Sequence, residues 1–559
     1  MNSLALFAIA VAVFVFGYRF YSKLLGFGVF RLENYSTPAH APVGDAAARF
    51  SRHLIFGHHV ASLAAGVAVS GSIVSLVWGW VPAFLWVVTG SVVAAGTYGL
   101  GSLWLSLRYP GRDPAEIAER LLGAPAHGLF ALVAFLLLLI LNAISVLLAA
   151  QLLSAFPASV LPFGIITILA LLLGNFLRGR DDFEIVPATL IVLALSLAAV
   201  WLTENYPLSF TGALFVETTD SRSRLDSTVA WVALLFVYGY QATRMPMWKL
   251  IRPRGYLTAL LMGIALFIFY IGVTINHPDL VAPAFHAGPN IPATLPWLFV
   301  TLTSGALAGV HLLIANAITA RTIKQETDAR YFGYGGALAL GLLALSAIII
   351  ASTSFADTQT WSQHYASWDE IRNLHAVLEG YINGFAQHAA SLGMNAGFAR
   401  SLMAVVIIGL LVSSLEAGLR AQKQLLTSLS ERHPAFFPEK EKALIATAVG
   451  LSALLALHDG AGRGGLLLWP LFGVADQLFA VSGFVLLMLM LRSLARPVAL
   501  VLLPLIFLLV TTNVALGLLL SQWWTSQNWL LFALGMLLAL IEAIIAILTF
   551  KTLKSPPLT

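Results

Sequence analysis

Residues 127–153 read HGLFALVAFLLLLILNAISVLLAAQLL, an apolar run that contains no Asp, Glu, Lys or Arg. As an α-helix rising about 1.5 Å per residue, the run is long enough to cross a hydrocarbon core of roughly 30 Å. It has no polar face to turn toward water, so its surroundings must be apolar on every side. Runs of this kind recur from the first residues to the last, with charged or Gly/Pro-containing breaks between them. They predict about 15 membrane-crossing helices, at 3–24, 55–77, 81–107, 127–153, 160–177, 184–203, 228–245, 256–275, 295–319, 331–352, 397–418, 442–457, 466–490, 498–520 and 529–550. The fold class is all-α, a polytopic transmembrane bundle forming one integral membrane domain over 1–559.

Composition agrees. Of 559 residues, 59% are hydrophobic and 10% charged, against about 25% charged in a soluble domain. Mean hydropathy is +0.86.

Cytoplasmic loops of membrane proteins retain an excess of Lys and Arg, which orients the chain. With the N-terminus outside, the breaks holding Arg19 and Lys23, Arg49 and Arg52, Arg108 and Arg112, Arg178 and Arg180, and Lys249 to Arg254 all fall inside. So do Arg321 to Arg330, Lys423 to Lys442, Arg492 and Arg496, and Lys551. Only Arg222, Arg224, Arg372, Arg400 and Arg463 fall outside, and every lysine is inside. The expectation is a multi-pass bacterial inner-membrane protein, N-terminus outside and C-terminus cytoplasmic. The basic pI of about 9.3 then needs no nucleic acid. The first run lacks a preceding basic residue and a small-residue cleavage site, so it is expected to be retained rather than cleaved. There is no cysteine, which excludes disulfides, thiolate metal sites and a cysteine nucleophile.

Between the runs, residues 353–396 form the longest extracytoplasmic loop. Trp361, Trp368, Ile371, Leu374, Leu378, Tyr381, Ile382 and Phe385 recur there at helical spacing, which suits an interfacial helix or a lid over a substrate path. The order of runs permits a five-plus-five inverted repeat, with 55–203 as the first unit, 228–418 as the second and 442–550 as accessory helices.

Polar chemistry inside the apolar runs marks the candidate site. The second run is rich in small residues, including Gly57, Ala61, Ala64, Ala65, Gly66, Ser70 and Gly71; close helix packing and local unwinding both suit it. The seventh ends FVYGYQATRMPMW, where Gly239 and Pro246 bracket Tyr238, Tyr240 and Gln241, as a discontinuous binding helix or an interfacial helix end would require. Carboxylates are costly in the bilayer, which makes Glu416, Asp476 and Glu542 candidates. Glu416 lies four residues before Arg420, the spacing of a facing pair on one helix, for structural pairing or gating. Asp476, beside Gln477, suits reversible protonation or a helix-to-helix hydrogen bond, and Glu542 a peripheral packing contact. His311 suits proton transfer or a packing hydrogen bond. His58 and His59 are adjacent, so they point about 100° apart and make a poor chelate; no metal and no cofactor is expected. No Walker A, Rossmann, zincin or nucleophile-elbow pattern is present, so neither an ATP-driven pump nor an enzyme is expected.

Four groups of residues carry a family resemblance: YRFY at 18–21; FGHH at 56–59; GALAGVHLLI at 305–314 with Glu326 and FGYGG at 332–336; and LEAGLR at 415–420 with WPLFGVADQL at 469–478. In these the chain resembles the carbon starvation protein A family, whose members are similar in fold to the amino acid–polyamine–organocation superfamily, the leucine-transporter type. The resemblance implies secondary active import of peptides or pyruvate-like acids, driven by protons, with the second and seventh runs broken around the substrate. The substrate positions are then Ser70, Gly71, Tyr238, Tyr240, Gln241, His311 and Asn316; Glu416, Arg420, Asp476 and Gln477 serve coupling or gating; Gly57, His58 and His59 belong to the motif. The chain departs from the family where the usual GAGP and GP give way to Ala65-Gly66-Val67 and Gly71-Ser72. SGTTPK is replaced by Asn316 to Arg321, the Glu usual after FGYGG by Leu338 or a neighbour, and an Asp and an Asn of the later motifs by Glu416 and Asp476. These losses motivate the alternative of a non-transporting sensor or scaffold.

Overall fold

The computed structural model describes residues 2–34, 37, 51–64, 67–110, 112–178, 182–208, 221–306, 309–436, 440–458 and 464–554. Of the residues singled out above, Arg49, Ala65, Gly66, Arg180, Leu307, Ala308 and Arg463 lie outside these, as do the side chains of Arg222 and Arg224.

Among the described residues the regular secondary structure is helical, apart from one isolated β-bridge between Asn2 and Asp279. The helices are α1 (Ser3–Val29), α2 (Arg52–Ala64), α3 (Val67–Val74), α4 (Trp80–Arg108), α5 (Pro114–Leu122), α6 (Pro125–Ala155), α7 (Pro157–Leu177) and α8 (Asp182–Thr203). Then come α9 (Ser221–Arg244), α10 (Ile251–Asn276), α11 (Thr294–Ala306), α12 (Val310–Thr319) and α13 (Arg330–Thr353). The short α14 (Thr358–His364), α15 (Trp368–Ile371) and α16 (Leu374–Ala390) precede α17 (Ala396–Arg432). The chain closes with α18 (Glu441–Leu457), α19 (Gly464–Leu467), α20 (Trp469–Ser493), α21 (Ala499–Thr525) and α22 (Trp529–Lys554). Among the described residues, 11 helices are long and apolar enough to cross a membrane, or up to 12 if the bent pair α2–α3 counts as one span. This is a multi-pass membrane protein.

Burial separates the core from the lipid-facing rim. The most apolar window of α17 is 100% buried, whereas those of α1, α8 and α22 are each 28% buried. At the centre α17 packs along α6, and α2 along α10. Glycines permit close approach: a Cβ on Gly99 would lie 2.6 Å from the Gly333 carbonyl, so α4 and α13 touch backbone to backbone. The FGYGG motif is thus a packing element, with Tyr334 against Gly96 and its hydroxyl donating to the Val92 carbonyl at 3.1 Å.

Three features differ from the sequence expectation. The seventh run is not broken at Gly239, because α9 continues to Arg244 and Pro246 follows its end. The helix expected to stop near 418 runs on to Arg432, since AQKQLLTSLSER remains amphipathic where apolarity ends. The 353–396 segment is packed into the bundle, not laid on its surface: Trp361, Tyr365, Tyr381 and Phe385 are all fully or almost fully buried. Tyr365 donates to the Ile73 carbonyl of α3 at 3.2 Å, pinning the segment there.

Candidate substrate and coupling site

Two helical runs are interrupted, the second and the ninth. In the second, segments Arg52–Ala64 and Ala68–Trp78 meet at 43°. In the ninth, α11 is described as far as Ala306, 307–308 lie outside the described residues, and Gly309 forms a turn before a helix that starts at Val310. An interruption inside a bilayer frees backbone groups that must find other partners. The Ser62 carbonyl, near the end of α2, accepts from the Ser414 hydroxyl of α17 at 3.0 Å. The Val310 N–H, opening α12, donates to Asp476 Oδ1 of α20 at 2.9 Å. Asp476 therefore caps a helix N-terminus, where the exposed amides favour an anion. Close approach is needed here, and Gly309 provides it: a Cβ would overlap the Asp476 carbonyl and stand 2.9 Å from the Ala480 nitrogen.

Around this junction lies a buried polar centre. The rings of His59 and His311 are 5.4 Å apart, edge to face. His59 Nδ1 shares a hydrogen bond with the Thr319 hydroxyl at 2.8 Å, and Tyr98 donates to the Gly309 carbonyl at 3.3 Å. Space for the imidazoles comes from absent side chains, since a Cβ on Gly336 would lie 3.0 Å from the His59 ring and one on Gly99 3.1 Å from that of His311. His59 Nε2, His311 Nε2 and Asp476 Oδ2 are buried without a hydrogen-bond partner among the described residues. The centre thus keeps polar capacity for a proton or a small ligand.

A cavity approaches from each side. At the α15 end, about 720 Å³ is walled by Gly71 of α3, Thr301 of α11, Gly473 of α20 and the indoles of Trp297, Trp368 and Trp469. At the α5 end, about 710 Å³ reaches Ala317 and Ile318 of α12 and Arg420 of α17. Along α11–α12 the order is cavity at 301, polar centre at 310–311, cavity at 317–318; the centre separates the two.

Glu416 is paired, but not with Arg420. Its carboxylate takes Arg254 Nε at 3.0 Å and Nη2 at 2.8 Å, and the Tyr238 hydroxyl as well. Arg254 is 1% exposed and Glu416 0%. A guanidinium approaching from α10 offers a planar fork to both oxygens. Arg420 instead donates to the Met245 carbonyl.

Of the other expected site residues, Ser70 and Gln477 are buried, and Gly71 lies under the Thr301 carbonyl. Tyr240 is half-buried with Arg244 over its ring, and Gln241 is exposed, so neither reaches the polar centre. Asn316 is spent on structure: its amide donates to Ser106 Oγ and to the Arg112 carbonyl and accepts from Gln424. Gly57 packs on Tyr256, His58 accompanies Ser62 at 3.4 Å, and Glu542 accepts from Asn513 at 2.8 Å. Two buried groups lie outside the sequence expectation. Arg254 falls in the basic break from Lys249 yet stands at the head of an apolar run; Asn142 of α6, bonded to Gln422 at 2.9 Å, is one of two side-chain amides, with Gln151, within 127–153.

A model of the family described as carbon starvation protein CstA matches residues 2–364 and 358–515. The peptide transporter CstA of Mycobacterium tuberculosis is 27% identical over 545 residues, covering 86% of this chain and 70% of that protein. The pyruvate/proton symporter BtsT of Escherichia coli is 24% identical over 598 residues, covering 93% and 82%. Among solved structures, a manganese transporter of Eremococcus coleocola aligns with a TM-score of 0.37 and 13% identity, over 90% of this chain and 94% of that one. The chain belongs to the carbon starvation protein CstA family.

Proposed function

We propose that this chain is a secondary transporter that carries small organic acids of the pyruvate type, or short peptides, into the cell with protons. The observation that carries the reading is the meeting of two interrupted runs at Asp476 and the His59–His311 pair, between two cavities. Half-helix ends that meet at mid-depth are where transporters of this architecture bind substrate and ion. The names of the relatives support the cargo class and, for one of them, the proton. In the proposed topology the α15 end faces outside and the α5 end the cytoplasm, as the distribution of Lys and Arg favours.

The inverted repeat is proposed as α2–α8 against α11–α20, with α9 and α10 inserted between, replacing a second unit at 228–418. Each unit opens with an interrupted run, continues with a long helix (α4, α13) and a short amphipathic connector (α5; α14–α16), and then places its longest helix (α6, α17) against its counterpart. Substrate is taken to lie by Ser70, Gly71 and His311, with Asp476 as proton carrier and Glu416–Arg254 as a fixed support. About 15 spans, the lid role of 353–396 and the accessory role of α21–α22 belong to the same proposal.

Purified protein in liposomes should accumulate radiolabelled pyruvate or dipeptide under an inward proton gradient. Asp476→Asn should abolish gradient-driven accumulation while retaining exchange of internal for external substrate. Accumulation that survives collapse of the gradient would remove the proton, and absence of uptake for either class would favour a sensor.

A further inference from the structure

Two polar side chains stand where the bundle meets lipid. Asn513 is at the middle of α21 and Glu542 at the middle of α22, so both lie near mid-membrane depth. Of the other carboxyls inside apolar runs, those of Glu416 and Asp476 are fully buried; Glu542 is half-buried and Asn513 exposed. The Asn513 amide donates to the Leu509 carbonyl and to Glu542 Oε1, both at 2.8 Å, which uses both of its hydrogens. Asn513 Oδ1 and Glu542 Oε2 have no hydrogen-bond partner among the described residues. A carboxyl enters apolar surroundings as the neutral acid. With Oε1 accepting from Asn513, its hydrogen falls on Oε2, so the pair keeps one donor and one acceptor. Hydrocarbon satisfies neither, and a polar group left unmatched there is costly.

We infer that the α21–α22 face is the contact between two copies of this chain, in which Glu542 Oε2–H of each copy donates to Asn513 Oδ1 of the other. The unmatched set is one donor and one acceptor, hence complementary to itself, as a two-fold contact requires. An axis along the membrane normal preserves depth, and these two groups share one depth because they already bond to each other. Room for the second copy is present. A Cβ on Gly517, one turn from Asn513 on the same exposed side, would meet nothing within 4 Å beyond its own helix backbone. Ala543 and Ala546, beside and one turn from Glu542, are exposed as well. Small residues at a lipid-facing surface let helices of two chains approach closely. The inference goes beyond the transport reading and does not rest on it.

The chain has no cysteine, so Lys554→Cys, at an exposed position, takes one fluorophore per copy. Reconstituted into liposomes over a range of protein-to-lipid ratios, the labelled chain should bleach in two steps, in proportions that fit a dimer dissociation constant. Glu542→Leu removes the donor and should raise that constant about tenfold, the scale of losing two hydrogen bonds between helices in lipid. Glu542→Gln keeps a donor and should stay close to the original. Gly517→Leu fills the open seam without touching the chain's own packing and should weaken pairing at least as much, which covers the case of a Glu542→Leu chain that does not fold. Single-step bleaching at every ratio would overturn the inference, as would pairing that both Glu542→Leu and Gly517→Leu leave unchanged. A different polypeptide that co-purifies one-to-one and is released by Glu542→Leu would assign the face to that partner and also overturn it. Bleaching steps do not depend on uptake, so a chain that pairs but fails to accumulate substrate would lose the transport reading and keep this one.

Discussion

Glu416→Leu is the sharpest test of how the bundle is held together. The carboxylate and the Arg254 guanidinium are withdrawn from solvent, and Arg254 and Tyr238 converge on the two carboxylate oxygens. Removing the carboxylate strands a buried cation, a change that costs about 3–5 kcal/mol. With an unfolding entropy of about 2.1 cal/mol/K per residue summed over the chain, this becomes a fall of roughly 3–4 °C in Tm. Arg254→Met strands the opposite charge and should lower Tm by a similar amount. The double variant removes both charges at nearly constant volume and should return to within about 1–2 °C of the original protein. Thermal unfolding of the four purified proteins in one detergent reads the cycle directly. A double variant that falls by the sum of the singles would show no coupling and refute the anchor; so would two silent singles.

Gly309→Ala should reduce folded yield and abolish uptake, because the added methyl overlaps the α20 backbone at Asp476; size-exclusion profiles and liposome uptake check both. Gly71→Ala brings a methyl to 2.6 Å from the Thr301 carbonyl, so α3 and α11 should separate and cysteine labelling at Trp297→Cys should accelerate. The Arg432 guanidinium, hydrogen-bonded to Glu119, holds that carboxyl below the usual carboxylate range. Its contribution is present above the unfolded carboxyl pKa of about 4.3 and is lost as pH falls through the lower folded value. The Tm difference between the original protein and Glu119→Gln should therefore be present at pH 7 and vanish in strong acid.

Helix positions were legible because a crossing segment must satisfy its own backbone, so the property that commits a segment to the bilayer is written in its local composition. The run at 160–177 and the observed Pro157–Leu177 differ only by a leading turn. Legibility stops at the membrane surface. Beyond Gly418 the helix α17 carries Arg420, Lys423 and Gln424, and hydropathy alone ends it a full 14 residues before Arg432.

The interruptions obey another rule. The seventh run holds the usual breakers, Gly239 and Pro246, yet α9 stays whole to Arg244, and the side chain that bonds the Gly239 carbonyl is Thr243 of the same helix, at 2.7 Å. The ninth run has no proline at its break, but Asp476, 166 residues away in sequence, accepts the Val310 N–H. A helix in lipid breaks where a replacement partner waits, and the partner is supplied by the tertiary fold. The ion pair shows the same thing, since Arg420 was the nearest cation to Glu416 in sequence and Arg254, 162 residues away, holds it. Asp476 was still legible because a carboxyl in WPLFGVADQLFA is too costly to be idle. Its partner was not, and only the pairing of a glycine-bearing run with a buried carboxylate from another run distinguishes Gly309 from Gly239.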